Sequence, residues 1–215
     1  MAIIAISGKM GHGKDTVADF IKHLDAENNW QIKKFAGKLK IVASILTGIP
    51  VHMFEDPEFK DSYLPECWDL YVKNDSKTII VEGHPKSDVK HIKMKVRDFL
   101  QKLGTEAVRN GLHYNTWVNA LMSDYKKAKD SDEEYNYPNW IISDLRFPNE
   151  YEAVKQQGGI IIRVNRPSMI TNNHPSETAL DDYSFDYTIE NKNSLRLLLE
   201  DVKHVIEQYK SIQHK

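Results

Sequence analysis

Residues 2–16 read AIIAISGKMGHGKDT, and this stretch decides the fold expected of the whole chain. Positions 2–6 are apolar, and a short apolar run that ends in a glycine-rich loop is typical of a buried strand. From Val17 to Leu24, apolar residues return at helical spacing. The stretch therefore predicts a strand, a glycine-rich loop and a helix, in that order.

The loop has the pattern G-x-x-x-x-G-K, which runs from Gly8 to Lys14. Gly8, Gly11 and Gly13 let the backbone turn tightly and bring several N–H groups close to one point. The start of the following helix adds unpaired N–H groups and a partial positive charge, which both favour an anion. Lys14 can then reach the β and γ phosphates of a nucleotide. A chance match is the alternative, but the strand–loop–helix context favours a phosphate-binding P-loop.

The residue after the lysine departs from the usual P-loop pattern. The Ser or Thr that ordinarily ligates Mg²⁺ is Asp15 here, and a hydroxyl comes one position later, at Thr16. An aspartate beside a triphosphate is repelled unless a cation lies between them, or unless it turns away and caps the helix. Asp15 is therefore either a Mg²⁺ ligand, directly or through water, or a helix-start carboxylate, and both alternatives stay open.

The composition of the chain limits the classes of function. Its 215 residues suit one large α/β domain, or a domain with a small insert. A net charge of −2 gives no support for a nucleic-acid-binding protein. The single cysteine, Cys67, allows no internal disulfide, and the first strand is too short to span a membrane and lacks the basic segment of a signal peptide. We therefore expect a cytoplasmic protein with no membrane partner.

Strand and helix patterns alternate along the rest of the chain, which predicts an α/β protein with a mainly parallel sheet and helices on both faces. Residues 50–95 are less informative, with a strand predicted at 78–81 and a turn at 83–85. The other strand patterns cover residues 31–35, 140–144, 160–164 and 185–189, and the helical patterns cover 35–48, 92–110, 150–157 and 194–210.

Leu39 and Lys40 lie just beyond the strand predicted at 31–35. In an open α/β sheet, ligands gather outside the carboxyl ends of strands. The two residues are therefore interpreted as facing a second, acceptor substrate. The alternative for Lys40 is a solvated lysine on an ordinary helix.

The helical pattern at 92–110 carries a polar face. Arg97, Gln101 and Thr105 recur at four-residue spacing and can share one side of a helix. A guanidinium, an amide and a hydroxyl together suit a nucleoside phosphate, and a surface face of mixed polarity is the alternative. Gly104 costs a helix about 1 kcal/mol relative to alanine, so it predicts a break between two helices or a place where a ligand approaches.

Asp144 ends the apolar strand at 140–144. In a chain with a P-loop, an acid there has the position of a Walker-B aspartate, which organises Mg²⁺ or its waters; a cap for the helix that begins near Pro148 is the alternative. Arg146 can clamp a phosphate and stabilise charge that develops in phosphoryl transfer. Trp117 is interpreted as a core residue, with base stacking as the alternative.

Together these residues resemble a known family, the deoxynucleoside monophosphate kinases of tailed bacteriophages, which are a branch of the P-loop nucleoside monophosphate kinases. The resemblance spans most of the chain in matching order, but residues 50–95 do not follow it. It is carried by the Ser-Gly…Gly-Lys-Asp-Thr loop with residues 18–21, Ala36-Gly37-x-x-Lys40, Arg97-x-x-x-Gln101-x-x-Gly104-Thr105, Trp117, Asp144-x-Arg146 with Glu150, the Arg166-Pro167 turn and His174-x-x-Glu177.

The resemblance implies a P-loop NTPase fold of the nucleoside monophosphate kinase type. It implies a single domain over residues 1–215, with a variable insert on the acceptor side at about 50–95. It also implies an enzyme that uses ATP and Mg²⁺ to phosphorylate a deoxynucleoside monophosphate, in the host cytoplasm if a phage encodes it. Small-molecule substrates are then its partners, rather than nucleic acid or membrane, and a homodimer is one open alternative for its oligomeric state.

The resemblance also implies roles for particular residues. Catalytic roles are implied for Lys14, Arg97, Asp144 and Arg146. Contacts with ATP are implied for Gly8, Met10, Gly11, Gly13, Lys14, Asp15 and Thr16, of which Asp15 and Thr16 are also the candidates for contact with the metal. Contacts with the acceptor nucleotide are implied for Leu39, Lys40, Arg97, Gln101, Gly104, Thr105, Trp117, Asp144, Arg146 and Glu150.

Three other functions compete with this one. Another small-molecule P-loop kinase, such as one resembling dephospho-coenzyme A kinase, is the nearest. A GTPase-like switch requires an Asn-Lys-x-Asp motif to read guanine. The corresponding stretch, Asn191-Lys192-Asn193-Ser194, lacks the acid and lies near the chain end. A non-catalytic nucleotide-binding module is disfavoured by the near-neutral charge and by the charged residues Arg97, Asp144 and Arg146.

Overall fold

The structure is a computed structural model that describes residues 2–73, 79–80, 89–129, 135–167, 174–192 and 194–213. The turn predicted at 83–85 and both ends of the strand predicted at 78–81 lie outside these residues. None of the described helices is long and apolar enough to cross a membrane. The strands are β1 (Ile3–Ser7), β2 (Gln31–Lys33), β3 (Leu70–Lys73), β4 (Ile79–Ile80), β5 (Val89–Ile92), β6 (Ala128–Lys129), β7 (Tyr135–Asn136), β8 (Trp140–Leu145), β9 (Ile160–Asn165) and β10 (Tyr187–Glu190). The α-helices are α1 (Lys14–Leu24), α2 (Phe35–Thr47), α3 (Pro57–Asp61), α4 (Val96–Gln101), α5 (Thr116–Met122), α6 (Pro148–Gln156), α7 (Pro175–Thr178) and α8 (Leu195–Gln213).

The chain divides into two compact units. The first consists of Met1–Gly37 and Trp117–Lys215, and the second consists of Lys38–Thr116. The division falls inside α2, whose first turn belongs to the first unit. The insert expected at about 50–95 lies within the second unit, and its role as an insert in a single domain stays a prediction.

The first unit is built on a five-stranded sheet in the order β10-β9-β1-β8-β2. All neighbouring pairs in it are parallel, which confirms the mainly parallel sheet predicted from the sequence. Ser7, the last residue of β1, lies beside Leu145 of β8 and Arg163 of β9. The segments that follow these strands therefore start at the same edge of the sheet, where ligands gather in open α/β sheets.

Helices cover both faces of this sheet, as the sequence predicts. All five residues of β1 are buried, and alternate residues of a strand point to opposite faces. Ile4 belongs to a core cluster with residues of α1 and α8, whereas Ile3 belongs to a cluster with residues of α5 and α6. Full burial of one isoleucine contributes about 1.5–3 kcal/mol, so β1 anchors both layers of helices and fixes the loop that follows it.

The second unit has an antiparallel sheet in the order β4-β3-β5 and a core cluster of its own around Phe54 and Phe99. The helix predicted over 92–110 starts only at Val96, because residues 89–92 pair with β3 as β5. It runs as α4 and then continues as a π-helix over Lys102–Asn110, without a break at Gly104. The π conformation is rare and is frequent at functional sites.

Candidate nucleotide-binding site

The glycine-rich loop joins β1 to α1 along a course that two glycines make possible. Gly13 has a φ of +96° and forms the N-cap of α1. A Cβ there would lie 2.8 Å from Nδ2 of Asn191, which donates a hydrogen bond to the His12 carbonyl at 2.9 Å. A Cβ on Gly8 would lie 2.5 Å from the carbonyl oxygen of Val164. Both positions therefore favour glycine, and the strand–loop–helix order predicted for the P-loop is present.

The Lys14 side chain folds back over this loop. Its Nζ donates hydrogen bonds to the carbonyl oxygens of Gly8, at 2.6 Å, and Lys9, at 2.8 Å, and the residue is 9% exposed. Burial, followed by the nearby positive charge of Arg146, lowers the pKa of Lys14 to about 8, although Glu177 acts in the opposite direction. An ammonium group held in this way gains a favourable charge partner when an anion enters the loop.

Asp15 lies in the first turn of α1, with an exposed side chain. Its Oδ1 accepts a hydrogen bond from the Ser143 hydroxyl at 2.8 Å and lies 3.1 Å from Nζ of Lys34. Loss of hydration acts to raise the pKa of Asp15, but the Ser143 hydrogen bond and the charge of Lys34 outweigh it, so the pKa lies below its ordinary value. Lys34 thus supplies a cation beside the carboxylate. A helix-start carboxylate and a Mg²⁺ ligand both remain open for Asp15, and Thr16 follows it in the same turn of α1.

Asp144 contacts the start of α2 rather than the start of α6. Its Oδ1 accepts the N–H of Phe35 at 2.7 Å and its Oδ2 accepts the N–H of Ala36 at 2.9 Å. These are the first two residues of α2, whose N–H groups lack partners within the helix. Asp144 therefore fixes the start of α2 at the carboxyl end of β8. The sequence considered it as a cap for the helix that begins near Pro148, but the helix that it caps is α2.

Glu150 is the acid that serves the start of α6. Its Oε2 accepts the N–H of Arg146 at 2.8 Å and the N–H of Phe147 at 3.1 Å, and the residue is buried. The carboxylate therefore holds the backbone of Arg146 just beyond the end of β8. Contact of Glu150 with an acceptor nucleotide stays a prediction.

Glu177 connects Arg146 to the P-loop. Its carboxylate accepts the N–H of Met10 at 2.7 Å and a hydrogen bond from Nη1 of Arg146, and its side chain is 6% exposed. A small cavity at this point is lined by Gly8, Arg146, Arg163 and Glu177, among others. Two guanidinium groups therefore lie beside the loop, and the buried Glu177 carboxylate pairs with that of Arg146.

A second carboxylate, Asp181, lies four residues further on and binds two cations. It accepts hydrogen bonds from Nζ of Lys9 at 2.8 Å and from Nη2 of Arg163 at 2.9 Å. Arg163 also donates to the Ser7 hydroxyl at 3.2 Å. Loss of hydration opposes these cations, but they keep the pKa of Asp181 below its ordinary value. Two acids from one short segment therefore contact neighbouring residues of the P-loop, Lys9 and Met10.

The sequence did not identify several residues of this site. Glu177 appeared only as part of a family motif, and no local pattern pointed to its contact with the P-loop. Asp181, Ser143 and Lys34 gave no signal beyond being polar. Arg163 had a usable signal, because it lies near the end of the strand predicted at 160–164, and ligands gather beyond the ends of strands in an open α/β sheet.

The residues expected to contact an acceptor divide between the two units. In the second unit, a Cβ on Gly104 would lie 2.8 Å from Cδ2 of Leu39, so these two residues are in close contact. Gln101 ends α4, and Thr105 lies in the π-helix that follows. Trp117 lies in the first unit, buried near the start of α5. Asp144, Arg146 and Glu150 are also in the first unit.

Lys40 and Arg97, the two cations among the second-unit residues, each pair with a carboxylate. Nζ of Lys40 lies 2.5 Å from Oε1 of Glu55, and the Lys40 side chain is 9% exposed. Arg97 donates to Oδ1 of Asp61 through Nε at 3.0 Å and through Nη2 at 2.9 Å. Both cations are therefore held by acids from the region that the sequence left uninformative.

Comparison with known proteins points to one family. A family model described as deoxynucleotide monophosphate kinase matches residues 64–202, which is more than half of the chain. A protein of Acanthamoeba polyphaga mimivirus, provisionally named a deoxynucleotide monophosphate kinase, is 26% identical over 152 residues, which cover 66% of this chain and 77% of the relative.

Two phage proteins named deoxynucleotide monophosphate kinase are also similar to this chain. The protein of Enterobacteria phage T4 is 30% identical over 113 residues, which cover 52% of this chain and 45% of the relative. That of Escherichia phage RB69 is 28% identical over 112 residues, which cover 52% of this chain and 44% of the relative. The matched stretch thus spans less than half the length of each phage relative. The family match begins after the P-loop, so the loop is a separate observation on the same chain.

Proposed function

Since the chain belongs to the deoxynucleotide monophosphate kinase family, we propose that it transfers the γ-phosphoryl group of ATP to a deoxynucleoside 5′-monophosphate. A phosphate oxygen of the acceptor forms a bond to the γ phosphorus, and the bond from that phosphorus to the β–γ bridging oxygen breaks. The products are ADP and the deoxynucleoside diphosphate. The observation that carries the proposal is the P-loop, with Lys14 folded over it, in a chain of this family.

The P-loop is the proposed binding site for ATP, the phosphoryl donor. Phosphoryl transfer depends mainly on positioning and on neutralising charge over the phosphates. We assign the backbone of the loop to the ATP phosphates and Lys14 to their β and γ oxygens. Arg146 pairs with Glu177, which also accepts the Met10 N–H of the loop. We assign its guanidinium to stabilising the negative charge that develops on the transferring phosphoryl group. The residues assigned to ATP are Gly8, Met10, Gly11, Gly13, Lys14, Asp15 and Thr16.

Mg²⁺ is the metal that we propose for the reaction. Protein sites for Mg²⁺ commonly use one or two carboxylates together with substrate phosphates and water. The exposed carboxylate of Asp15, next to Lys14, fits this donor set, and Thr16 adds a hydroxyl. When bound, such an ion supplies charge neutralisation between the phosphates.

The acceptor side is assigned to residues that offer cations, a hydrogen-bonding face and an aromatic ring. Lys40 and Arg97 suit the phosphate of the monophosphate, and Trp117 suits its base. Family membership does not favour a dephospho-coenzyme A kinase or a non-catalytic module. The residues assigned to the acceptor are Leu39, Lys40, Arg97, Gln101, Gly104, Thr105, Trp117, Asp144, Arg146 and Glu150.

The proposal is tested with Mg-ATP and a panel of acceptors, followed by ADP release. The panel contains dGMP, dTMP, dCMP, dAMP, GMP and dephospho-coenzyme A. We expect release with one or more deoxynucleotides, its loss in Lys14→Ala, and its retention in Lys22→Ala, which removes an exposed lysine of α1. Release with dephospho-coenzyme A alone, or a Lys14→Ala protein that keeps most of the rate, would contradict the proposal.

A further inference from the structure

Residues 51–61 of the second unit precede the stretch that matches the family. They form a 3₁₀ turn over Val51–Glu55 and helix α3. We propose that two acids of this segment, Glu55 and Asp61, are positioning residues that hold Lys40 and Arg97 for the phosphate of the acceptor. The inference rests on the proposed function, in which these two cations contact the acceptor.

The pair of Lys40 and Glu55 lies at the edge of the core of the second unit, with the Lys40 side chain buried and the Glu55 side chain 45% exposed. A lysine side chain buried this far requires a partner for its charge, and Glu55 provides it at 2.5 Å. Phe54, next to Glu55, is fully buried, and Ala43, one turn after Lys40, is fully buried in the same core cluster. Packing thus fixes both backbones, and the carboxylate determines where the ammonium group lies.

The pair of Arg97 and Asp61 is braced by the backbone on both sides. The N–H of Val96 donates to the Ser62 carbonyl at 3.0 Å, and the N–H of Leu64 donates to the Met94 carbonyl at 2.9 Å. These bonds bring the end of α3 to the start of α4, where Arg97 lies. The course of the backbone therefore places Asp61 beside Arg97.

The size of these interactions separates positioning from stabilisation. The Asp61 side chain is 65% exposed, and exposed ion pairs contribute only about 0–1 kcal/mol to stability. The Asp61 pair is therefore expected to matter for the direction of the guanidinium more than for folding. An ammonium group has three N–H donors and a guanidinium has five. Nζ of Lys40 donates one hydrogen bond to Glu55, and Arg97 donates two to Asp61. For Lys40, a carboxylate and a phosphate can therefore share the ammonium group.

The test compares Glu55→Gln and Asp61→Asn with Glu58→Gln, measuring kcat and the KM of each substrate with the deoxynucleotide that the wild type uses best. Glu58 lies in the same segment, is exposed and forms no ion pair among the described residues. We expect the acceptor KM to rise about tenfold in the first two variants, because the cations lose their direction. The ATP KM should stay unchanged in all three variants.

A double-mutant cycle distinguishes positioning from a merely structural role. If Glu55 acts through Lys40, Glu55→Gln should add nothing to the effect of Lys40→Gln. Additive effects in the cycle, or an acceptor KM that stays constant or falls in both single variants, would overturn the inference. Asp61→Asn removes an exposed carboxylate and keeps the test usable if Glu55→Gln folds poorly. A wild-type protein that turns over no acceptor refutes the proposed function itself, whereas normal turnover with unchanged KM values refutes the inference alone.

Discussion

Replacing Glu177, whose side chain is 6% exposed, should lower the free energy of unfolding of the first unit. The carboxylate accepts the Met10 N–H at 2.7 Å and a hydrogen bond from Arg146. A hydrogen bond to a charged group contributes about 1.5–3 kcal/mol. Because the Arg146 side chain is 28% exposed, water can replace part of that interaction. We therefore expect Glu177→Ala to lower the free energy of unfolding by about 3 kcal/mol, near the lower end of the sum of two such bonds.

Glu177→Gln separates charge from geometry at the same position. Its amide oxygen can still accept the Met10 N–H, but the ionic interaction with Arg146 is lost. We expect a smaller loss of about 1–2 kcal/mol for this variant. With an m value of about 2 kcal/mol per M in urea, the unfolding midpoint should fall by about 1.5 M in Glu177→Ala and by about half as much in Glu177→Gln.

Urea unfolding followed by tryptophan fluorescence measures both shifts. Glu152→Ala is the matched control, since Glu152 is an exposed glutamate of α6, and a surface change of this kind should stay within about 0.5 kcal/mol of the wild type. A Glu177→Ala protein as stable as Glu152→Ala would refute the view that Glu177 holds Arg146 and the loop together.

Three further changes test other parts of the structure. Between pH 8 and 10.5, the stability of the wild type should rise relative to Lys14→Met by about 3 kcal/mol in urea unfolding. The sign follows because the folded pKa of Lys14 lies below its unfolded value, so the cost of the buried charge is present below pH 8 and disappears as pH rises; a constant difference would contradict it. Asp144→Asn should lower the free energy of unfolding by about 1–2 kcal/mol, because its Nδ2 would face an N–H donor at the start of α2; an unchanged midpoint would remove the capping role. Gly104→Ala should leave the unfolding midpoint nearly unchanged, because a gain of about 1 kcal/mol in helix propensity offsets the cost of moving the end of the Leu39 side chain. The acceptor KM should rise, and an unchanged KM would argue against a role for Leu39.

The sequence was sufficient for the features that are encoded locally. The strand, loop and helix of the P-loop lie within residues 2–24, and apolar runs of fixed period gave the parallel sheet and its covering helices. The contacts of the acids were not accessible in this way. Glu177 and Met10 are 167 residues apart, and Asp144 and Phe35 are 109 apart, so only the fold brings each pair together.

The second unit shows the same limit in a different form. A period of 3.6 residues fits both an α-helix and the wider π-helix after Gln101 closely enough that the pattern did not distinguish them. The early start predicted for this helix was wrong because residues 89–92 pair with β3, and strand pairing depends on a distant partner. Glu55 and Asp61 lie in a segment without strong periodicity, and no local pattern predicted their pairing with Lys40 and Arg97.

Transfer of label from ATP tests the central claim most directly. The protein is incubated with Mg²⁺, [γ-³²P]ATP and each deoxynucleoside monophosphate, and the products are separated by thin-layer chromatography. The account predicts label in the deoxynucleoside diphosphate for at least one acceptor, and none there in Lys14→Ala. Label found only in inorganic phosphate, or label that stays in ATP with every acceptor, would contradict it.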